Sequence, residues 1–168
     1  MDEALTVFYF QVTDLWKKLC EAHQQLLELT FDEYSLLLGS EIEALEDKIL
    51  EKEQVIKTIG LLDQARKSVI SDINQTLKKN NQKTIDSVSD LIACMRELES
   101  RQNQHHLRRF NALLIDIIEK IQTQNKKNQL FINKALMSLR EIREEAVGRK
   151  NYSTYNAKGA QSLSGRST

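Results

Sequence analysis

No proline occurs anywhere in this chain of 168 residues, and only five glycines do: Gly39, Gly60, Gly148, Gly159 and Gly165. A sheet protein of this size needs many reversals of direction, and tight turns recruit Gly and Pro for backbone angles that other residues resist. With so few turn residues the chain must reverse rarely, which leaves a small number of long helices. Leu, Glu, Lys and Gln are abundant, and these residues lose little side-chain freedom in a helix. The expected fold is all-α, an elongated antiparallel hairpin or bundle of three to four helices.

The apolar pattern supports this reading. Leu5, Val12, Leu19 and Leu26 recur every seven residues, Phe8, Leu15, Ala22 and Leu29 follow three later, and Tyr9 and Trp16 four later. That stripe describes a helix with a wide buried face over residues 3–38. At about 1.5 Å per residue it spans roughly 54 Å. In "LLLGSEIEAL", Gly39 is expected in the left-handed conformation that ends a helix. Ser40 is then the cap of the next helix, with Glu43 reaching back as in a capping box. Glu41, Glu43, Glu46 and Asp47 suit the positive end of the new helix. Thr30 and Glu33 share the spacing, but the apolar pattern continues on both sides and argues against a break.

The second helix is assigned Ile42, Leu45, Ile49, Ile56 and Ile59 as its apolar positions, shifting phase through Leu62, Ala65, Val69 and Ile73. Gly60 marks a bend or a close approach. The polar stretch 74–83 is the candidate second connection. A shorter helix starts near Thr84, or at Ser87 with Asp90 as capping partner, and buries Val88, Leu91, Ile92, Met95 and Cys94. Residues 99–109 read as loop or exposed helix. The last long helix carries Leu107, Phe110, Leu114, Ile117 and Ile121, then Phe131, Leu136, Leu139 and Ile142, and Gly148 is expected to stop it. Residues 1–147 therefore form the helical domain. Residues 148–168 hold too few apolar groups to offset the entropy of ordering and read as a disordered, basic tail.

Charge and chemistry exclude several classes. The net charge is zero, but residues 1–56 hold 13 acids against 4 bases, leaving the rest of the chain with a matching basic excess. Acidic and basic helices side by side in one bundle account for this better than nucleic acid does, because the bases are scattered and aromatics do not interleave them. His105 and His106 are neighbours on a helix and point about 100° apart, so they cannot share an ion, and no metal or cofactor is expected. Cys20 and His23 stand one turn apart without any glycine loop to stabilise an oxyanion, so no enzyme is expected. No segment approaches the roughly 20 apolar residues of a membrane span, and the acidic N-terminus does not resemble a secretory signal, which implies a cytoplasmic protein with reduced cysteines. Asn125 and Asn128 interrupt the last apolar stripe. They mark either exposure where a bundle ends or a polar contact that sets register or meets a partner.

Three segments together resemble the FlgN-type flagellar export chaperones. "GSEIEALEDKILEKEQVIKTIGLLDQAR" is similar to that family's second helix at Ser40, Glu43, Leu45, Lys52, Ile56 and Ile59. "NKKNQLFINKALMSL" resembles its paired-asparagine stretch at Asn125, Asn128, Leu130 and Leu136, and "TYNAKG" its tail element at Tyr155 and Gly159. Ile and Gln stand where the family has leucines around Lys52. The resemblance implies an ATP-independent chaperone of type III export. Such a chaperone holds the C-terminal helices of hook-associated (hook-filament junction) proteins and presents them to the cytoplasmic domain of the export gate. It implies partner binding by Asn125, Asn128, Phe131, Leu136, Leu139 and Ile142, and gate docking by Tyr155 with Tyr152 and Gly159 nearby. An unfilled groove leaves room for self-association when no substrate is bound. A chaperone for filament or cap protein and a structural coiled-coil adaptor are the alternatives.

Overall fold

A computed structural model describes residues 2–158, with side chains for residues 3–148. These residues form α1 (Asp2–Leu38), α2 (Ile42–Lys79), α3 (Val88–Arg101) and α4 (His106–Lys158), with no strand among them. The all-α expectation holds. The chain divides into two compact units, Met1–Asn125 and Lys126–Thr168.

In the first unit α1 and α2 form the antiparallel hairpin. Lys48 reaches Asp32 at 3.7 Å and Lys52 reaches Glu33 at 3.3 Å near its tip, while Tyr9, Val12 and Trp16 share a core with Ile73 and Leu77 at the other end. α3 adds Leu91, Met95 and Leu98 to that core, and α4 adds Leu107. The start of α4 runs parallel to α1: the Trp16 indole N–H donates to Asn111 Oδ1 at 3.1 Å, and further along Leu27 packs with Ile117 and Ile121. The wide face predicted for α1 is the one that is buried, including Tyr9, Val12, Leu15, Trp16, Leu19 and Leu29. α1 is unbroken at Thr30, whose hydroxyl donates to the Leu26 carbonyl at 2.7 Å.

Three helix ends share one device. At the end of α1 the Glu41 N–H donates to the Leu36 carbonyl and the Ser40 N–H to that of Leu37, with Ser40 at φ 54°. Gln82 and Asn81 repeat the pattern on Leu77 and Lys78, and Gln104 and Asn103 on Glu99 and Ser100, with Asn81 at φ 54° and Asn103 at φ 49°. These are Schellman closures, each built on one left-handed residue, and none uses glycine there. The expectation for the first turn is therefore corrected. Ser40, not Gly39, is left-handed; Glu41 is the cap residue of α2, and its side chain makes no capping hydrogen bond. With Ser40 consumed in closing α1, its hydroxyl is not placed to open α2.

α3 starts as the spacing predicts. Ser87 is extended, its hydroxyl accepts from the Asp90 N–H at 3.1 Å, and Asp90 Oδ2 accepts from the Asp86 N–H at 3.1 Å. α2 runs further than expected, through Lys79, so the second connection is residues 80–87. That loop is clamped by Asn74, which donates to the Ile85 carbonyl at 3.0 Å and accepts the Ile85 N–H at 2.7 Å. An amide side chain thus completes a buried backbone unit and holds Ile85 in the core.

Two glycines behave otherwise than expected. Gly60 lies inside α2 with nothing within 4 Å of where a Cβ would stand, so no close approach explains it. Gly148 does not stop α4, which continues to Lys158. Residues 159–168, including Gly159, lie outside the described residues.

Candidate functional site

α4 carries every described candidate residue. Asn125 belongs to the first unit, where its side-chain oxygen accepts from Lys52 Nζ at 3.1 Å. The same ammonium meets Glu33 Oε2 at 3.3 Å, so one lysine ties α1, α2 and α4 together. Asn128 is buried, and so is Gln124. Asn128 is thus packed within the fold, whereas Asn125 is exposed while bonded to Lys52.

Beyond Asn128 the second unit changes character. Phe131 and Ile132 are half-buried, and from there the apolar residues face water. Leu136, Leu139 and Ile142 are 57–63% exposed. Spaced three residues apart, they occupy one side of the helix within about 120° of arc. Arg143 stands within that arc, about 40° from Leu139, and Arg140 borders it. Glu141, Glu144 and Glu145 lie about 120° or more from Leu139 around the axis. This is an amphipathic helix whose apolar face has no cover among the described residues. Tyr152 and Tyr155 fall within the helical backbone of α4, but their side chains lie outside the described ones.

A second apolar surface escaped the sequence reading. In the first unit, Cys20 of α1 and Phe110, Leu113 and Ile117 of α4 line a groove of about 440 Å³ rimmed by Lys17, Glu21 and Gln24. Leu113 follows Phe110 by three residues and precedes Ile117 by four, so it lies at the edge of the same stripe, and helical spacing was the signal that could have found it.

Cys20 is buried, and Cys94 and His23 are half-buried. The Cys20 thiol donates to the Phe110 carbonyl at 3.2 Å, and burial, with Glu21 adding, pushes its pKa above the ordinary thiol value. Burial raises the Cys94 thiol likewise. Both cysteines are free. His23 Nδ1 lies 2.7 Å from the Leu19 carbonyl of its own helix. Among the described residues no group of three or more His, Cys, Asp or Glu could hold a metal ion, and no helix is long and apolar enough to cross a membrane.

This helical scaffold leaves one amphipathic face of α4 open to solvent. A family model described as FlgN protein matches residues 5–162. The chain belongs to the FlgN family, and so to the flagellar export chaperones. No match was found among curated proteins or among solved structures.

Proposed function

We propose that this protein works in the cytoplasm as the chaperone of hook-filament junction proteins, holding their C-terminal helical segments and delivering them to the type III export gate. The observation that carries this reading is the open face of Leu136, Leu139 and Ile142 on α4. A secretion substrate must stay unfolded, and its amphipathic segment needs a temporary apolar cover. A helix laid on this face, anchored at positions three and four apart, supplies it without any chemical step or nucleotide. Arg143 among the leucines and Arg140 at their edge suit a substrate helix that carries acidic residues.

Calorimetric titration with a C-terminal peptide of a junction protein is expected to give one-to-one binding. L139E and I142E together should weaken it at least tenfold, since each places a charge in a desolvated contact. Unchanged affinity, or equal loss after changing Lys134, would remove the site from this face. Tighter binding of a filament or cap protein would keep the chaperone and change its client. Tyr155→Ala is expected to leave folding and peptide affinity intact while lowering export. An unaltered export rate would withdraw the gate-docking role.

A further inference from the structure

Near its tip the α1–α2 hairpin turns a second seam to water. Ile42, Ile49 and Ile56, expected to face the core, are instead 40–67% exposed. The seam with α1 is made by Leu45, Lys48, Lys52, Val55 and Ile59, all buried or half-buried. On the outward side Glu46, Glu53 and Gly60 each follow one of the three isoleucines by four residues, and all three are exposed. At about 100° per residue the six positions fall within about 80° of arc. Their alternating steps of four and three residues are the spacing by which one helix packs along another. The ridge they form on α2 runs roughly 27 Å, about five turns.

Two features of this ridge have no use within the described residues. Gly60 stands mid-helix, where glycine is unfavourable, and nothing lies within 4 Å of where its Cβ would be. In line with Ile56, the missing side chain lets a second backbone come close. Glu46 and Glu53 form no salt bridge or hydrogen bond among the described residues. Residues 28–56 hold nine acids and two lysines, and both lysines are engaged by Asp32, Glu33 and Glu51. Lys57 borders the arc, about 60° from Ile42. Two such ridges laid together would set glutamate against glutamate. A helix with Lys or Arg beside its apolar row would instead pair both carboxylates as they leave water.

We propose that this ridge docks one amphipathic helix of another protein, a helix whose apolar row is flanked by Lys or Arg and whose backbone comes closest at Gly60. The isoleucines supply the apolar area. The glutamates select the partner, because a carboxylate left unpaired in the contact opposes binding. The ridge lies wholly in the Met1–Asn125 unit, so the docking does not rest on the reading of α4 beyond Asn128.

The test uses the full chain and two labelled synthetic helices of about three heptads, with Leu at the a and d positions and either Lys or Glu at every e and g position. Fluorescence anisotropy is expected to give the lysine peptide a Kd on the order of 10 µM. The double variant E46K and E53K should bind it at least tenfold more weakly, and should bind the glutamate peptide at least tenfold more tightly than the native chain does. Gly60→Gln should weaken the lysine peptide at least fivefold yet melt no lower than the native chain, because glutamine favours the helix and meets no neighbour there. Circular dichroism melts confirm that both variants fold. No binding of the lysine peptide at about 1 mM would overturn the proposal. So would a double variant that binds it like the native chain, or a Gly60→Gln chain with unchanged affinity. Sedimentation equilibrium supplies the last outcome: if the ridge variants changed the mass of the peptide-free chain, a second copy would be the occupant and the proposal would fall.

Discussion

Replacing Glu99 tests how α3 fixes the start of α4. This carboxylate is 4% exposed, and one of its oxygens accepts both the Tyr9 hydroxyl at 3.2 Å and the Leu107 N–H at 2.8 Å. Leu107 is the second residue of α4, so its N–H has no partner within the helix, and a negative charge there also meets the positive end of the helix dipole. Tyr9 and Leu107 are themselves fully buried, so water cannot easily replace the lost acceptor. Glu99→Ala strands two donors. A hydrogen bond to a charged group contributes about 1.5–3 kcal/mol, and a buried donor left alone costs a comparable amount. Against this, burying the carboxylate itself is unfavourable, and removing it recovers part of the loss. The net expectation is a destabilisation of about 2–4 kcal/mol, or roughly 5–15 °C in Tm for a domain of this size.

Glu99→Gln separates shape from charge. The amide oxygen still accepts both donors, so only the charge assistance and dipole contribution disappear, about 1 kcal/mol. Urea unfolding followed by circular dichroism measures each variant, with an unchanged m-value required for comparison. A double-mutant cycle with Tyr9→Phe should show coupling of about 0.5–1.5 kcal/mol. If Glu99→Ala falls within about 0.5 kcal/mol of the native chain, the carboxylate is hydrated and the capping argument fails.

Asn74→Ala should cost about 2–3 kcal/mol, because the N–H and carbonyl of Ile85 both lose their partner in a buried setting; an effect below 1 kcal/mol in urea unfolding would mean that the loop holds itself. Ser40→Gly should stabilise by about 0.5–1 kcal/mol by relieving the left-handed conformation, while Gly39→Ala should be neutral or better, since the nearest atoms to its Cβ stand at 3.5 Å. A Gly39→Ala loss larger than the Ser40→Gly gain would return the left-handed role to Gly39. The Asp90 carboxyl is held below its usual range, mainly by the Asp86 N–H, then by Ser87. Its contribution is complete above the ordinary carboxylate value of about 4 and is lost as pH falls through the depressed folded value. Asp90→Asn should flatten that acid limb of the stability curve, and an unaltered limb would exclude it. The Tyr9 hydroxyl is raised, first by burial and then by Glu99, so stability should fall as pH climbs past its ordinary value of about 10. Tyr9→Phe should remove that alkaline loss.

Periodicity made α1 readable because one face of it meets α2, α3 and α4, and a helix surrounded on one side must be apolar there. α3 was readable from Ser87 and Asp90 because a capping pair is a local interaction, complete within four residues. The hairpin tip misled because its isoleucines obey the same period as the seam while pointing beside it. Hydrophobic spacing reports that a face is apolar and is silent on whether anything covers it. Glu99 was unreadable for the opposite reason: its two partners, Tyr9 and Leu107, come from other helices, and nothing local marks a buried glutamate in "ELESR". Asn125 stood out in the sequence, yet its bond to Lys52 depends on a lysine 73 residues away. The turn at Ser40 shows that a glycine next to a helix end does not by itself locate the left-handed residue.

The division of the chain has a physical consequence for how stability and binding relate. Leu136, Leu139 and Ile142 stay in water, so their side chains add little to the burial that drives folding, which comes from positions such as Trp16, Ile73, Leu91 and Leu107. A polar substitution on the open face of α4 should leave the urea midpoint of the Met1–Asn125 unit within about 0.5 kcal/mol of native. The same substitution removes apolar area that only a partner can bury. Core changes such as Leu107→Ala should do the reverse, costing about 2–5 kcal/mol of stability through a cavity while leaving the face itself untouched. Paired measurements of unfolding and of substrate affinity on these two sets should therefore scatter along separate axes. If L139E unfolded the protein as severely as Leu107→Ala, the face would be part of the core, and the case for α4 as a binding helix would fall with it.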